Sequence, residues 1–261
     1  MSAAVSMQAA IEAKRISKRY GKVVALEDVD FEAYPGEIVA VIGDNGAGKS
    51  TLIKILSGAV IPDSGSMAIA GQSRSFSGPR DAQRVGIETV YQDLALAPDL
   101  DIAANLFLGR EPVRKGFFGA LDFFDSSAMR LQAEEHLRDF GIKVSKIEQT
   151  VDTLSGGQRQ AIAVARSVLW GKSVVIMDEP TAALGVAQSS LVLDLMRRVR
   201  SKGIAVIFIS HNLPHVFETA DRIVVLRHGR RVGSLDPKTS TMDQAVSLMT
   251  GASVDTAPGG S

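Results

Sequence analysis

The chain has 261 residues, with 29 basic and 29 acidic side chains and therefore no formal net charge. That length holds one α/β domain, or one domain carrying a subdomain, and a neutral balance advertises no general attraction to nucleic acid. The lack of cysteine excludes disulfides, thiolate nucleophiles and zinc–thiolate sites. No apolar run approaches the ~18 residues needed to cross a bilayer. The basic cluster Lys14, Arg15, Lys18 and Arg19 follows the Ala- and Ser-rich start instead of preceding it, the wrong polarity for a signal peptide. A cytosolic protein, at most peripheral to a membrane, is expected.

Residues 11–20 alternate loosely and 23–31 continue with Val23, Leu26, Val29 and Phe31, so both read as strands of an antiparallel layer. Tyr20 reads as an edge-strand aromatic, although a flat ring is also what an adenine base stacks on. Pro35-Gly36 makes a turn, and residues 37–42 form a buried strand. That strand runs into Gly43-Asp44-Asn45-Gly46-Ala47-Gly48-Lys49-Ser50-Thr51, and Leu52–Leu56 then begins a helix. This is G-x-x-x-x-G-K-[ST] between a strand and a helix, the context the phosphate-binding motif requires. Glycines admit positive φ and leave room where a Cβ would clash. Successive amides and the helix N-terminus then face an anion, with Lys49 reaching the terminal phosphates and Ser50 offering its hydroxyl to Mg²⁺.

Ser57-Gly58 closes that helix, residues 66–70 form a strand, and Asp81 is a plausible cap after the break at Gly78-Pro79. Residues 87–91 form another strand with Gln92 at its carboxyl end, where ligand groups gather in open α/β sheets. From Asp93 to about Ser167 strand patterns vanish. Residues 102–108 and 127–140 are helical in period, the latter through Met129, Ala133, Leu137 and Phe140. Phe117, Phe118, Phe123 and Phe124 crowd between them, as a local core or as a partner's docking surface. Leu154-Ser155-Gly156-Gly157-Gln158 opens a further helix, with Ser155 placed to cap it and the glycines exposing its first amides. It is a second anion-binding helix start in one chain.

Residues 173–178 form a buried strand ending in Asp178 and Glu179. Acidic groups there are costly unless they serve a cation or a water; Asp178 suits Mg²⁺, and Glu179 a base that polarises water. Residues 191–199 are an amphipathic helix and 204–209 a buried strand ending in Ser210-His211. His136, His215 and His228 read as structural, His211 as the exception beside the carboxylates. Residues 223–226 and 231–233 form a closing hairpin, 242–249 a last helix, and 252–261 a small-residue tail.

These signals occur in the order shown by ATP-binding-cassette (ABC) ATPases, which the chain resembles over about residues 11–250. Gly43–Thr51 resembles the Walker A loop, Gln92 the Q-loop glutamine, Leu154–Gln158 the LSGGQ signature and Val174–Asp178 Walker B. Glu179 resembles the catalytic glutamate, His211 the switch histidine and Tyr20 the adenine-stacking aromatic. The resemblance implies an α/β fold: a P-loop NTPase (RecA-like) core with an antiparallel β layer, an inserted α-helical subdomain at about 93–167, and a tail at 251–261 outside the domain. It implies ATP and Mg²⁺ as ligands, the metal taken by Ser50, Gln92 and Asp178, and Lys49, Glu179 and His211 as the catalytic set.

Tyr91–Leu96 and Asn105–Glu111 narrow the resemblance to ATPases of bacterial monosaccharide importers, the ribose, xylose, galactose and fructose class, and most to the single-cassette fructose-import type. The implied partners are a second copy, head to tail, with ATP between Walker A of one and Ser155–Gln158 of the other; transmembrane permease subunits; and, indirectly, a periplasmic sugar-binding protein, but no nucleic acid. The implied place is the cytoplasmic face of the bacterial inner membrane. The expected seat for a permease helix is a groove near Leu94–Leu100 and Phe117–Phe124. A cassette ATPase outside transport and a pure nucleotide-binding regulator are the rival readings. One departure from the family is Ala182-Ala183-Leu184-Gly185, where the D-loop usually ends in Asp.

Overall fold

The computed structural model describes residues 8–113, 124–182 and 184–252. Two sheets organise them. Strands β1 (Ile11–Tyr20), β2 (Val23–Ala33), β4 (Ser64–Ile69) and β5 (Gln72–Arg74) form an antiparallel layer in the order β2-β1-β4-β5. Strands β3 (Ile38–Ile42), β6 (Ile87–Val90), β7 (Val174–Asp178), β8 (Ala205–Ile209), β9 (Arg222–Arg227) and β10 (Arg230–Leu235) form the second, ordered β10-β9-β3-β8-β7-β6. It is parallel from β9 to β6, with β10 antiparallel at the edge.

The period-2 alternation of strands divides the interior in two. Val39, Val41, Val174, Ile176, Ile207 and Val224 point towards the antiparallel layer and pack with Ile11, Ile16, Leu26 and Phe31. Helix α1 (Lys49–Leu56) contributes Leu52, Ile53, Ile55 and Leu56 to the same core. Ile38, Ala40, Ile42, Val175, Met177, Val206 and Phe208 point the other way, onto the remaining helices. Both faces are covered, which is why these strands read as unbroken apolar runs. The loose alternation of β1 also has a cause: register shifts between Ala13 and Ile16, around Arg15 at φ 49°, mark a bulge.

The other helices are α2 (Pro79–Arg84), α3 (Ile102–Phe107), α4 (Ser126–Asp139), α5 (Gly156–Trp170), α6 (Val186–Ser201), α7 (Leu213–Thr219) and α8 (Met242–Thr250). Between β6 and β7 the described residues hold helices and two isolated bridges but no strand. Helix α4 buries Met129, Ala133 and Leu137, the positions its period picks out. Helix α5 is one continuous rod past Ser167, so the expected boundary of the helical subdomain at 167 falls inside a helix.

Three expectations need correction. Asp81 is not the cap of α2: Gly78 holds that place, and the Asp81 carboxylate, inside the first turn, accepts hydrogen bonds from the Ser77 amide and hydroxyl. Tyr20 is not on an edge strand, because β1 lies between β2 and β4; the ring sits at the tip of the β1–β2 hairpin, paired with Val23. Helix α6 starts five residues before the expected Leu191, since residues 186–188 are exposed and its first turn carries no apolar period, its one buried side chain being Ser189.

Candidate active site

The parallel register assembles the site. Val41 and Asp178 are both partnered with Ile209, so the carboxyl ends of β3, β7 and β8 finish level on one sheet edge. The loop from Gly43 onward, Glu179 and Ser210-His211 therefore emerge together from the three strand ends, at the edge where open α/β sheets take their ligands.

The cradle loop needs its glycines at specific places. Gly43 has φ 151°, and a Cβ there would lie 2.2 Å from the Leu226 carbonyl oxygen. Gly48 caps α1 at φ 102°, and its Cβ would meet the Ala25 carbonyl at 2.6 Å. The loop is backed by the β9–β10 turn, whose Gly229 amide donates to the Ala47 carbonyl at 3.1 Å while its own carbonyl accepts from Glu27 at 2.8 Å. In front of the loop lies a cleft of about 300 Å³ lined by Tyr20, Val23, Val24, Ala25 and residues 45–51. Tyr20 is thus brought to Asn45, Gly46, Ala47, Gly48, Lys49, Ser50 and Thr51, with its ring half exposed. Val23–Ala25 are lining residues that the sequence did not disclose.

The Lys49 ammonium donates to the carbonyls of Gly43 at 2.6 Å and Asp44 at 3.0 Å. Burial pushes its pKa down, against the pull of Glu179, Asp44 and Asp178. Burial, reinforced by Glu179, holds the Asp178 carboxyl above its ordinary value, with Lys54 and Lys49 opposing. Glu179 sits at φ 50°, its amide bonded to the Ile209 carbonyl at 3.1 Å. One Glu179 carboxylate oxygen lies 2.9 Å from Nδ1 of His211, which is largely exposed. Cradle, carboxylates and histidine thus share one edge.

Two sets lie outside the cradle cleft: residues 155–158, and Gln92, which leaves the carboxyl end of β6 on the same sheet edge, Val90 being partnered with Met177. Ser155 caps α5 through a reciprocal box: its hydroxyl accepts from the Gln158 amide at 3.3 Å, and the Gln158 side chain accepts from the Ser155 amide at 3.0 Å. Ser155 and Gly156 are exposed, Gly157 lies against Gln188 of α6, and none of residues 155–158 lines the cradle cleft. Gln92 is exposed in the turn after β6. In the segment it opens, Leu94 and Ala95 have φ 59° and 47°, and the Arg166 guanidinium of α5 donates to both their carbonyls, at 2.8 and 2.7 Å. Arg166 was not among the expected residues; a lone guanidinium inside the apolar run Ala161–Val168 was the signal for it. The expected docking groove changes too. Leu94 and Leu96 pack on the core and are not free anchors, Phe117, Phe118 and Phe123 lie outside the described residues, and Phe124 is exposed. Of the remaining histidines, Nε2 of His136 lies 2.8 Å from the Ala165 carbonyl, and Nδ1 of His215 lies 3.1 Å from the Thr181 hydroxyl.

Residues 26–182 match the ABC transporter family. The chain belongs to that family. It is an ATPase of the ATP-binding-cassette type, and the match spans the cradle, Gln92, the signature and both carboxylates, stopping before His211. The chain is 54% identical over 244 residues to the fructose import ATP-binding protein FrcA of Rhizobium meliloti, covering 93% of this chain and 94% of that one. It is 43% identical over 240 residues to the xylose/arabinose import ATP-binding protein XylG of Sulfolobus acidocaldarius, covering 92% and 93%. Its fold is that of solved cassettes: the dimeric post-hydrolysis state of the ATP-binding cassette MJ0796 bound to ADP and Pi superposes with a TM-score of 0.71 at 23% identity, over 87% of this chain and 98% of that one.

Proposed function

We propose that the chain is the ATP-hydrolysing subunit of an importer that takes up a monosaccharide, fructose or a similar sugar, working as a head-to-tail pair against membrane permease subunits at the cytoplasmic face of the inner membrane. Among the described residues no helix is long and apolar enough to cross a membrane, so energy leaves this subunit through contact with others. The observation that carries the reading is the Glu179–His211 pair at 2.9 Å on the sheet edge that also bears the cradle.

In this reading Tyr20 stacks on adenine and the loop amides of 43–51 hold the phosphates. A phosphate oxygen takes the place of the two carbonyls to which Lys49 now donates. Mg²⁺ binds through few protein groups and keeps phosphate and water ligands. The residues fit it: Asp178 is a half-buried carboxylate that feels the charges of Lys54 and Lys49, with the Ser50 hydroxyl and the Gln92 amide as neutral donors, and no three-carboxylate or histidine cluster among the described residues competes. Mg²⁺ supplies charge neutralisation of the terminal phosphates. Glu179 accepts a proton from the attacking water, His211 fixes the carboxylate's orientation, and positioning and charge stabilisation lower the barrier. The capped Ser155 start, exposed and outside the lining of its own cradle, completes the site of the second copy.

The test is Glu179→Gln. Its amide still fills the position but cannot take the proton, so steady-state phosphate release is expected to fall about 10²–10⁴-fold while ATP binding persists; turnover near the wild-type rate removes Glu179 from the role. For the substrate, the chain reconstituted with its permease and a periplasmic sugar-binding protein is expected to show ATPase stimulated by a monosaccharide. Stimulation by another solute class, with none by sugars, overturns the assignment.

A further inference from the structure

Between β6 and α3 the chain has no regular structure of its own, yet it is fastened at two points. At the first, Leu94 and Ala95 adopt successive left-handed conformations, φ 59° and 47°, which non-glycine residues rarely accept. Such residues persist only where surroundings hold them. The holding group is Arg166, whose two terminal nitrogens each take one carbonyl of that strained pair, at 2.8 and 2.7 Å. A planar fork delivering two charge-assisted bonds is the geometry in which arginine exceeds lysine. At the second point, fully buried Asn105 of α3 accepts from the Ala97 amide at 2.8 Å and donates to the carbonyls of Ala97, Leu100 and Asp101 at 2.9, 3.2 and 3.0 Å. Arg166 lies three turns along the helix that Ser155 caps.

We infer that Arg166 is a positioning residue for hydrolysis: it latches the start of the 92–101 segment onto α5, while Asn105 ties the end of that segment to α3, so that Gln92 and the Ser155 helix start move as one rigid piece. The inference rests on the proposed roles of Gln92 and Ser155. Without the fork the left-handed pair relaxes, and Gln92 no longer holds a fixed place relative to α5. Neither Arg166 nor Asn105 lines the cradle cleft, so nucleotide affinity does not depend on them directly.

Arg166→Met keeps the stem and removes the donors. Amide exchange of the full-length protein is the primary readout. The amides of Leu94, Ala97 and Leu100, bonded to Tyr91, Asn105 and Ala97, are expected to exchange about tenfold or more faster, while those of α4 and the rest of α5 stay as in the wild type. In hydrolysis, kcat is expected to fall about tenfold with KM for ATP within about twofold, the pattern of lost transition-state positioning. Unchanged exchange at the three amides overturns the latch, as does uniform loosening of α3, α4 and α5, which marks Arg166 as ordinary packing. Should the methionine variant not fold, Arg166→Lys, a point donor in place of a fork, is subjected to the same exchange measurement with the same expected direction. A wild-type chain that binds no ATP sinks the proposed function, whereas the exchange pattern still judges the latch.

Discussion

Gly185 stands where the family resemblance leads us to expect an aspartate, and the local structure says what a carboxylate there would do. Gly185 is the N-cap of α6, with φ −70° and ψ 169°, extended backbone open to any residue, and no side chain caps this helix. Five other helices carry a side-chain cap: Asp101, Asp125, Ser155, Asn212 and Thr241 each accept from the amide three residues on. The residue in that place on α6 is Gln188, as Gln158 and Gln244 are on the two helices with reciprocal boxes. A Cβ on residue 185 would meet the Gln188 side-chain oxygen at 2.5 Å, but that is the far end of a flexible side chain, free to swing towards the residue 185 amide. Gly185→Asp therefore gains a few tenths of a kcal/mol from the cap and about 0.3–1 kcal/mol from a carboxylate at a helix N-terminus. Together these are about 0.5–1.5 kcal/mol, which in a domain of this size raises the melting midpoint by about 1–6 °C. Gly185→Ala meets the same Gln188 atom with no acceptor to offer and is expected to melt below the wild type. Calorimetry of the three proteins without nucleotide decides it: an aspartate variant melting no higher than wild type refutes the capping argument. In hydrolysis the aspartate is expected to change the Hill coefficient for ATP more than the affinity.

The cradle supports a paired prediction. Gly48→Ala places a methyl 2.6 Å from the Ala25 carbonyl at φ 102°, whereas Gly46→Ala at φ 80° meets nothing within 4 Å; a left-handed penalty of about 1–2 kcal/mol applies to both, overpacking of about 1–3 kcal/mol to the first alone. Melting and binding of a fluorescent ATP analogue should both suffer markedly more in Gly48→Ala, and equal losses contradict the assigned geometry. Burial lowers the pKa of His136 from 6.5, with the Ala165 carbonyl opposing and Lys202 assisting. A depressed imidazole contributes stability that is present above its ordinary range and lost as pH falls through the folded-state value. Urea midpoints of the nucleotide-free protein should therefore drop on acidification below about pH 6.5, and His136→Gln should flatten that part of the profile.

What the sequence disclosed and what it hid divide along physical lines. The cradle, the β7 carboxylates and the α5 cap were legible because each depends on residues within a few positions of one another, and buried parallel strands are apolar without interruption. What escaped among the helices was short or weakly patterned. Helix α7 is seven residues long and starts at the Asn212 cap with Pro214 in its first turn, and the start of α6, read only from Leu191 onward, was hidden by its glycine cap and a first turn without an apolar period. The support of the cradle by Gly229 and the placing of Val23–Ala25 in the cleft join parts far apart in the chain, where no local pattern could announce them. Arg166 lies between these cases. Its oddity was visible in an apolar helix, but its partners, 71 and 72 residues away, were not.

Helix α5 is where the two ends of the proposed mechanism meet. Ten residues lead from Glu179 to Gln188, and over that span the chain passes from the carboxylate of its own cradle to the turn capped by Ser155, where Leu184 lies against Gly156 and Gln188 against Gly157. Three turns further along the same helix, Arg166 grips the segment that Gln92 opens. Under the proposed function, a shift at Glu179 or at Gln92 on loss of the terminal phosphate would reach one helix by two separate contacts. If the Ser155 end of that helix completes the site of a second copy, each copy reports its own hydrolysis to its partner's nucleotide. A helix broken near Ser167 could not do this; α5 runs unbroken from Gly156 to Trp170, and the Trp170 indole is itself tied to the Leu106 carbonyl of α3 at 3.0 Å.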